Sequence, residues 1–113
     1  MIWGQANVLR LLVLHLVHDE PGYGNELIQA IERITEGAVS VNPNTMYPLL
    51  RELESEGLVE GRWEHPDKRT RRYYAITRKG RAERKRLSEE LRPGLDAAIR
   101  SATLIKRELY GKR

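Results

Sequence analysis

The sequence predicts a mainly α-helical (α+β) fold in which three short helices are followed by a β-hairpin and one long C-terminal helix. Two observations support this prediction. Apolar residues recur at three- and four-residue spacing in three segments, a further segment is apolar nearly all round, and turn-forming residues separate these segments. Two short segments rich in β-forming residues, 58–64 and 71–77, flank a Pro-Asp turn. With 113 residues the chain is long enough for one small domain.

The first predicted helix, residues 5–18, is apolar nearly all round, because only Arg10 and His15 interrupt its apolar run. Such a helix needs cover on more than one side, so we expect a second chain to bury part of it. A second helix is predicted over residues 25–34. Its core stripe consists of Leu27, Ile28, Ile31 and Ile34.

The third predicted helix, residues 42–56, begins with Asn42 as its cap and Pro43 at its first position, and Gly57 ends it. Two short helices joined by a tight connection are typical of a helix-turn-helix. The uncharged polar tip and the positive end of the helix dipole suit insertion against DNA. An ordinary amphipathic surface helix is the alternative. The apolar stripe is Met46, Leu49, Leu50 and Leu53, and the opposite face is Asn44, Pro48, Arg51 and Ser55.

The hairpin directly after this helix is predicted to be a wing, with its turn at residues 65–70. Its cations at or near the tip would follow phosphates or enter the minor groove. The alternative is a turn that merely increases solubility. We expect Trp63 and Tyr74 to form the core of the hairpin. The basic residues concerned are Lys68, Arg69, Arg71 and Arg72.

The last predicted helix covers residues 78–110, with Thr77 as its cap. We expect the Pro93-Gly94 pair to kink it or to split it in two, since an interior proline removes a hydrogen bond. Its long apolar seam would pair with the same helix of a second copy. Residues 1–77 would then form the winged helix-turn-helix and residues 78–113 the dimerisation helix of one compact unit. The seam consists of Leu87, Leu91, Leu95, Ala98, Ile99, Ala102, Ile105 and Leu109.

Charge is distributed unevenly along the chain. The residues up to Val59 include 3 basic and 8 acidic side chains, whereas residues 60–86 include 11 basic and 4 acidic ones. Concentrated positive charge favours a polyanionic partner, although a basic run such as residues 78–86 is more often a solvated helix face.

The absence of cysteine excludes disulfides and cysteine catalysis. With no signal peptide and no apolar run long enough to span a bilayer, we expect a soluble cytoplasmic protein.

Specific residues within this order of elements resemble the PadR family of winged-helix transcriptional regulators. The resemblance depends on Gly22-Tyr23-Gly24, residues 42–50, Leu53-Glu54 with Gly57-Leu58-Val59, Arg71-Arg72-Tyr73-Tyr74, and residues 77–80, and it covers roughly residues 8–80. It implies a homodimeric repressor that binds a palindromic operator in double-stranded DNA. Some members of the family release DNA when a small aromatic compound binds near the dimer interface, so an effector of that class is a further expectation.

The third helix would contact DNA in the major groove, where Asn44 and Thr45 would hydrogen-bond base edges and Arg51 a base or a phosphate. Tyr47 would contact a phosphate or pack against the second helix. Tyr23 would hydrogen-bond a phosphate or be partly buried. The complete set of expected DNA-binding residues is Tyr23, Asn42, Asn44, Thr45, Tyr47, Arg51, Lys68, Arg69 and Arg71.

Other functions have weaker support in the sequence. A winged-helix module that binds another protein would show an uncharged wing and an apolar outer face on the third helix. An enzyme is the least favoured class, since no nucleophile–base pair or phosphate-binding glycine loop is present, and no cofactor is expected. His15 and His18 form no metal cluster with other ligands and fit a partly buried histidine and a helix-end cation better. Trp3 would line a pocket at the dimer centre or pack on the partner.

Overall fold

The computed structural model describes residues 5–65 and 67–111, apart from the side chains of residues 5 and 68–70. Four helices and three short strands follow the predicted order, with one strand added. The elements are α1 (Gln5–Asp19), β1 (Gly22–Tyr23), α2 (Gly24–Ile34), α3 (Pro43–Ser55), β2 (Val59–His65), β3 (Lys68–Ile76) and α4 (Arg78–Tyr110). Trp3 lies outside the described residues, and so do the side chains of Lys68 and Arg69.

The ends of α3 form as the sequence predicts. Asn42 accepts a hydrogen bond from the Thr45 N–H through its side-chain oxygen at 3.1 Å, which satisfies one of the free donors of the first turn. At the other end Gly57 has a φ of +77°, and the Leu58 N–H donates to the Leu53 carbonyl at 2.9 Å. This pattern is a Schellman motif, which closes the helix and starts the wing.

The strands form one antiparallel sheet in the order β1-β3-β2. The wing consists of β2 and β3, and its strands are longer than predicted, because His65 pairs with Lys68 across a tight turn. The predicted start of the second strand at Arg71 is therefore wrong. Backbone pairing between the two strands, which residue propensity does not reveal, extends the ladder up to the turn. The sequence also missed β1, in which Gly22 pairs with Tyr74 and Tyr23 with Tyr73.

The long last helix is continuous from Arg78 to Tyr110, so the predicted division into two helices at Pro93-Gly94 is wrong. Pro93 lies on the exposed surface of α4. The carbonyl that loses its intrahelical donor is therefore open to water, which lowers the cost of an interior proline. As predicted, Thr77 caps this helix by accepting from the Gly80 N–H at 3.0 Å.

The core lies where α1, α2, α3 and the wing meet. Its fully buried side chains include Leu14, Ile31, Met46 and Leu50. The first half of α4 joins this core through Leu87, whereas Ile99, Ile105 and Leu109 in its second half are all more than half exposed. The molecule is therefore elongated, with principal extents of 68 × 25 × 21 Å. The polar surfaces of α3 and the wing lie outside this core, and they form the candidate site.

Candidate nucleic-acid interface

Helix α3 separates its side chains by function. Met46, Leu50 and Leu53 are completely buried and attach the helix to the core. Asn44 and Arg51 lie on the opposite face and are exposed, as are Asn42 and Thr45 in the first turn. Because three buried side chains fix the helix, its polar tip is presented to solvent on a rigid support.

Two grooves border α3 and contain six of the nine predicted site residues, while Asn42 lines neither groove. The groove on the wing side has a volume of about 620 Å³ and brings together Tyr23, Tyr47, Arg51 and Arg71. The groove on the α1 side has a volume of about 690 Å³ and contains Asn44 and Thr45. The helix therefore presents amide and hydroxyl groups on one side, and guanidinium and phenol groups on the other.

The wing-side groove is built on a close contact between α2 and α3. A Cβ atom on Gly24 would lie 2.5 Å from the Tyr47 ring, so only glycine permits the observed approach. The Tyr47 hydroxyl donates a hydrogen bond to the Asn25 side-chain oxygen at 3.2 Å. Tyr47 thus packs against the second helix, which is one of the two roles expected for it.

Arg71 spans the groove from the wing to Tyr23. Its guanidinium lies 3.9 Å from the centre of the half-buried Tyr23 ring and donates two hydrogen bonds to the Glu64 carboxylate, at 2.5 and 3.3 Å. These hydrogen bonds hold the pKa of Glu64 below the ordinary value for a glutamate. They hold the pKa of Arg71 above the ordinary value for an arginine. Sequence reasoning placed Arg71 near the wing tip but did not identify Glu64 as its partner.

The carboxylates in the second half of α3 and at its C-terminal cap, Glu56, are all paired with arginines. Glu54 accepts from Arg72 at 2.7 Å, and the same guanidinium donates to the Gly61 carbonyl at 2.8 Å. Arg72 therefore connects α3 to the wing, and its side chain is only partly exposed. This structural role differs from the predicted role of a cation at the wing tip.

Arg10 of α1 forms ion pairs with the other two carboxylates, Glu52 at 3.5 Å and Glu56 at 3.1 Å. Since each carboxylate of α3 is near a guanidinium, the helix places little uncompensated negative charge beside its polar tip.

Trp63 and Tyr74 lie in the hairpin, as the sequence predicts. Tyr74 is buried and Trp63 half buried in the hairpin, with the Arg72 guanidinium 5.1 Å from the centre of the Trp63 ring. His15, expected to be partly buried, is exposed instead and lies 3.3 Å from an Arg84 nitrogen. His18 is partly buried in the last turn of α1 and lies 3.5 Å from Asp19.

Two kinds of feature are absent from the described residues. They contain no group of three histidine, cysteine or carboxylate side chains that could hold a metal ion. Among residues 5–65 and 67–111, none of the helices has the length and hydropathy that a membrane span requires.

This architecture and these residues match known proteins. A family model described as the PadR-like family of transcriptional regulators matches residues 13–86, which is more than half of the chain. The chain belongs to the PadR-like family. Family members are transcriptional regulators and not enzymes, so the chain is a transcriptional regulator with a winged-helix fold.

Individual proteins show how far the similarity extends. The transcriptional regulator Rv3488 of Mycobacterium tuberculosis is 38% identical over 90 residues, which cover 77% of this chain and 81% of that protein. The transcriptional regulator YqjI of Escherichia coli is 35% identical over 72 residues, but these cover only 33% of its length. The crystal structure of a PadR family transcriptional regulator from Eggerthella lenta superposes with a TM-score of 0.69 at 28% identity, covering 87% of this chain and 84% of that one.

Proposed function

We propose that this PadR-like protein is a homodimeric repressor that binds a palindromic operator in double-stranded DNA. The tip of α3 enters the major groove, and the wing contacts the backbone or the minor groove. The observation that supports this best is the exposed polar face of α3, held on a buried apolar face and bordered by Arg51 and Arg71 in one groove. Amide, hydroxyl and guanidinium groups are the donors and acceptors that base edges and phosphates require.

Each predicted contact residue has a defined place in this proposal. Asn44 and Thr45 lie at the exposed tip, where they would hydrogen-bond base edges. Arg51 is exposed and makes no hydrogen bond or ion pair with the described part of the chain, so its guanidinium is available to a base or a phosphate. Tyr23 and Tyr47 border the same groove as Arg51, where a phosphate would lie within reach of their hydroxyls.

The homodimer is supported by the second half of α4. Ile99, Ile105 and Leu109 are 67%, 58% and 64% exposed, although they continue the apolar seam that Leu87 begins in the core. A second copy related by a two-fold axis would cover the same stripe on both chains. Two α3 tips would then face one side of the duplex, in half-sites about 34–36 Å or a multiple of that distance apart.

The decisive experiment measures binding to duplex DNA as a function of salt concentration. The parent protein should bind, with an affinity that falls steeply with salt because neutralised phosphates release counterions. Arg69→Ala and Arg71→Ala should weaken binding to all sequences and flatten the salt dependence, each by about one unit of slope for every phosphate that is no longer neutralised.

The matched control is Arg100→Ala, which removes the same charge from the exposed second half of α4, far along the chain from the wing. The proposal is wrong if the parent does not bind duplex DNA at low salt. The assignment of the wing is wrong if both wing variants bind like the control. Selection of bound duplexes from a random pool would then give the half-site sequence, spacing and symmetry.

The alternative function, a winged-helix module that binds a protein, has less support. It requires an apolar outer face on α3, but that face exposes Asn44, Arg51 and Ser55 beside a single proline. It also requires an uncharged wing, and four of the residues 68–72 are basic.

Release by a small aromatic effector is the last part of the proposal. Partly exposed leucines of α1, such as Leu11 and Leu12, and the exposed seam of α4 would enclose an apolar space between two copies. A ligand that favours one dimer geometry would change the spacing of the two α3 tips. A tryptophan fluorescence titration that stays flat across a panel of aromatic compounds would contradict this part alone.

A further inference from the structure

The wing contains a carboxylate that is paired with a residue of the wing-side groove. Glu64 is the penultimate residue of β2, and its side chain is 29% exposed. It binds the Arg71 guanidinium through both carboxylate oxygens, whose partners are Nε and one terminal nitrogen. A negative charge at this position works against a polyanionic partner, so its presence calls for a physical explanation.

Arg71 is partly occupied within the free protein. Two of its donors point to Glu64, and the face of its guanidinium lies over the Tyr23 ring at 3.9 Å. A phosphate that binds side-on, through Nε and the same terminal nitrogen, needs the donors that Glu64 holds. Arg51, which borders the same groove, has no such competitor among the described residues.

We propose that Glu64 is a positioning residue that holds Arg71 against Tyr23 and thereby limits the affinity of the wing for duplex DNA. The Glu64 carboxylate competes with a backbone phosphate for two donors of one guanidinium, and the ion pair opens when the phosphate takes those donors. This inference rests on the proposed function. It adds that the affinity of the complex is restrained by a residue of the wing itself.

The test is Glu64→Gln, measured by fluorescence anisotropy with a mixed-sequence duplex at low salt. Exposed ion pairs are weak, so release of Arg71 should raise affinity by about two- to five-fold for each wing that binds. In an Arg71→Ala background the same substitution should have no effect, because the residue through which Glu64 acts is missing. A purely structural role of Glu64 would change the melting temperature. We expect Glu64→Gln to melt at the same temperature as the parent.

The matched control is Glu60→Gln, which removes the same charge from the same strand. Glu60 pairs with Arg62 at 2.8 Å, and Arg62, unlike Arg71, is not among the residues that line the wing-side groove. The affinity of Glu60→Gln for the duplex should stay within about two-fold of that of the parent, which is the lower limit of the effect expected for Glu64→Gln.

Three results would overturn the inference while leaving the proposed function intact. In the first two, Glu64→Gln binds duplex DNA like the parent or more weakly than the parent. In the third, it binds more tightly than the parent, and to the same extent with and without Arg71. The last result would mean that Glu64 only repels phosphates in general. If the parent itself binds no duplex DNA, the proposed function fails and the inference fails with it.

Discussion

Leu87 and Ile105 lie on the same apolar seam of α4, but their surroundings differ. Leu87 is 3% exposed and belongs to the core that includes Val13 and Leu14 of α1, whereas Ile105 is 58% exposed. The sequence pattern at the two positions is the same, since both continue a series spaced by three and four residues. Apolar periodicity therefore indicates which face will be buried but not which chain buries it.

The same contrast separates the two halves of the molecule by what stabilises them. The winged part and the first half of α4 form a closed core within one chain. The second half of α4 is a helix in water until another surface covers it, and isolated helices of that length are marginally stable. Substitutions in the two halves should therefore affect different measurements, namely unfolding in the first and association in the second.

The largest effect is expected at the centre of the closed core. Leu50→Ala removes a completely buried side chain of α3 and should lower the free energy of unfolding by about 2–5 kcal/mol, through reduced burial and the cavity left behind. Urea denaturation followed by circular dichroism measures this decrease. Arg51→Ala, at the neighbouring exposed position, is the control and should change stability by less than about 0.5 kcal/mol. Equal decreases at both positions would contradict the assigned burial of α3.

Two glycines of α4 give the next comparison. A Cβ atom at Gly80 would lie 2.0 Å from the Leu58 carbonyl oxygen, so the wing and the helix would have to separate. Gly80→Ala should therefore cost about 1–3 kcal/mol of unfolding free energy, as overpacking does in other cores.

Gly94 is the matched control within the same helix, because a Cβ atom there meets nothing within 4 Å. Gly94→Ala should increase the free energy of unfolding by about 0.5–1 kcal/mol, since alanine loses less backbone entropy in a helix. Thermal melts of the two variants should therefore move in opposite directions. A decrease in stability at Gly94 would show that this part of α4 packs closely against another surface.

Local features were predictable from the sequence because their causes lie within a few residues. Asn42, Gly57 and Thr77 mark helix ends through contacts with residues three positions away. Strand β1 was not predictable, because its two residues acquire their structure only by pairing with Tyr73 and Tyr74 about fifty residues later.

The interface itself was only partly predictable for the same reason. The residue types at the tip of α3 indicated DNA, and the structure brings Tyr23, Tyr47, Arg51 and Arg71 to one groove. The partnership of Arg71 with Glu64 depends on the strand register, which shifts between Trp63 and His65. No local pattern reveals such a shift, so the competing carboxylate became visible only in three dimensions.

The exposed half of α4 should respond through association. Ile105→Asp places a charge in the seam and should raise the dissociation constant of the proposed dimer at least tenfold, or by about 1.4 kcal/mol, because the carboxylate would have to be buried. Sedimentation over a range of concentrations measures this change. Arg100→Asp, on the opposite face of the same helix, is the control and should leave association within about two-fold, a few tenths of a kcal/mol. A parent protein that sediments as a monomer would contradict the homodimer.

The smallest effect distinguishes the two roles of Asn42, which caps α3 and is also an expected DNA contact. Asn42→Ala removes the acceptor of the Thr45 N–H and should cost about 1 kcal/mol of unfolding free energy. Asn42→Ser retains a capping oxygen and should keep nearly the full stability. If the serine variant folds like the parent but binds duplex DNA more weakly, Asn42 contacts DNA directly. If it matches the parent in both measurements, the residue contributes only by fixing the first turn, and base recognition depends on Asn44, Thr45 and Arg51.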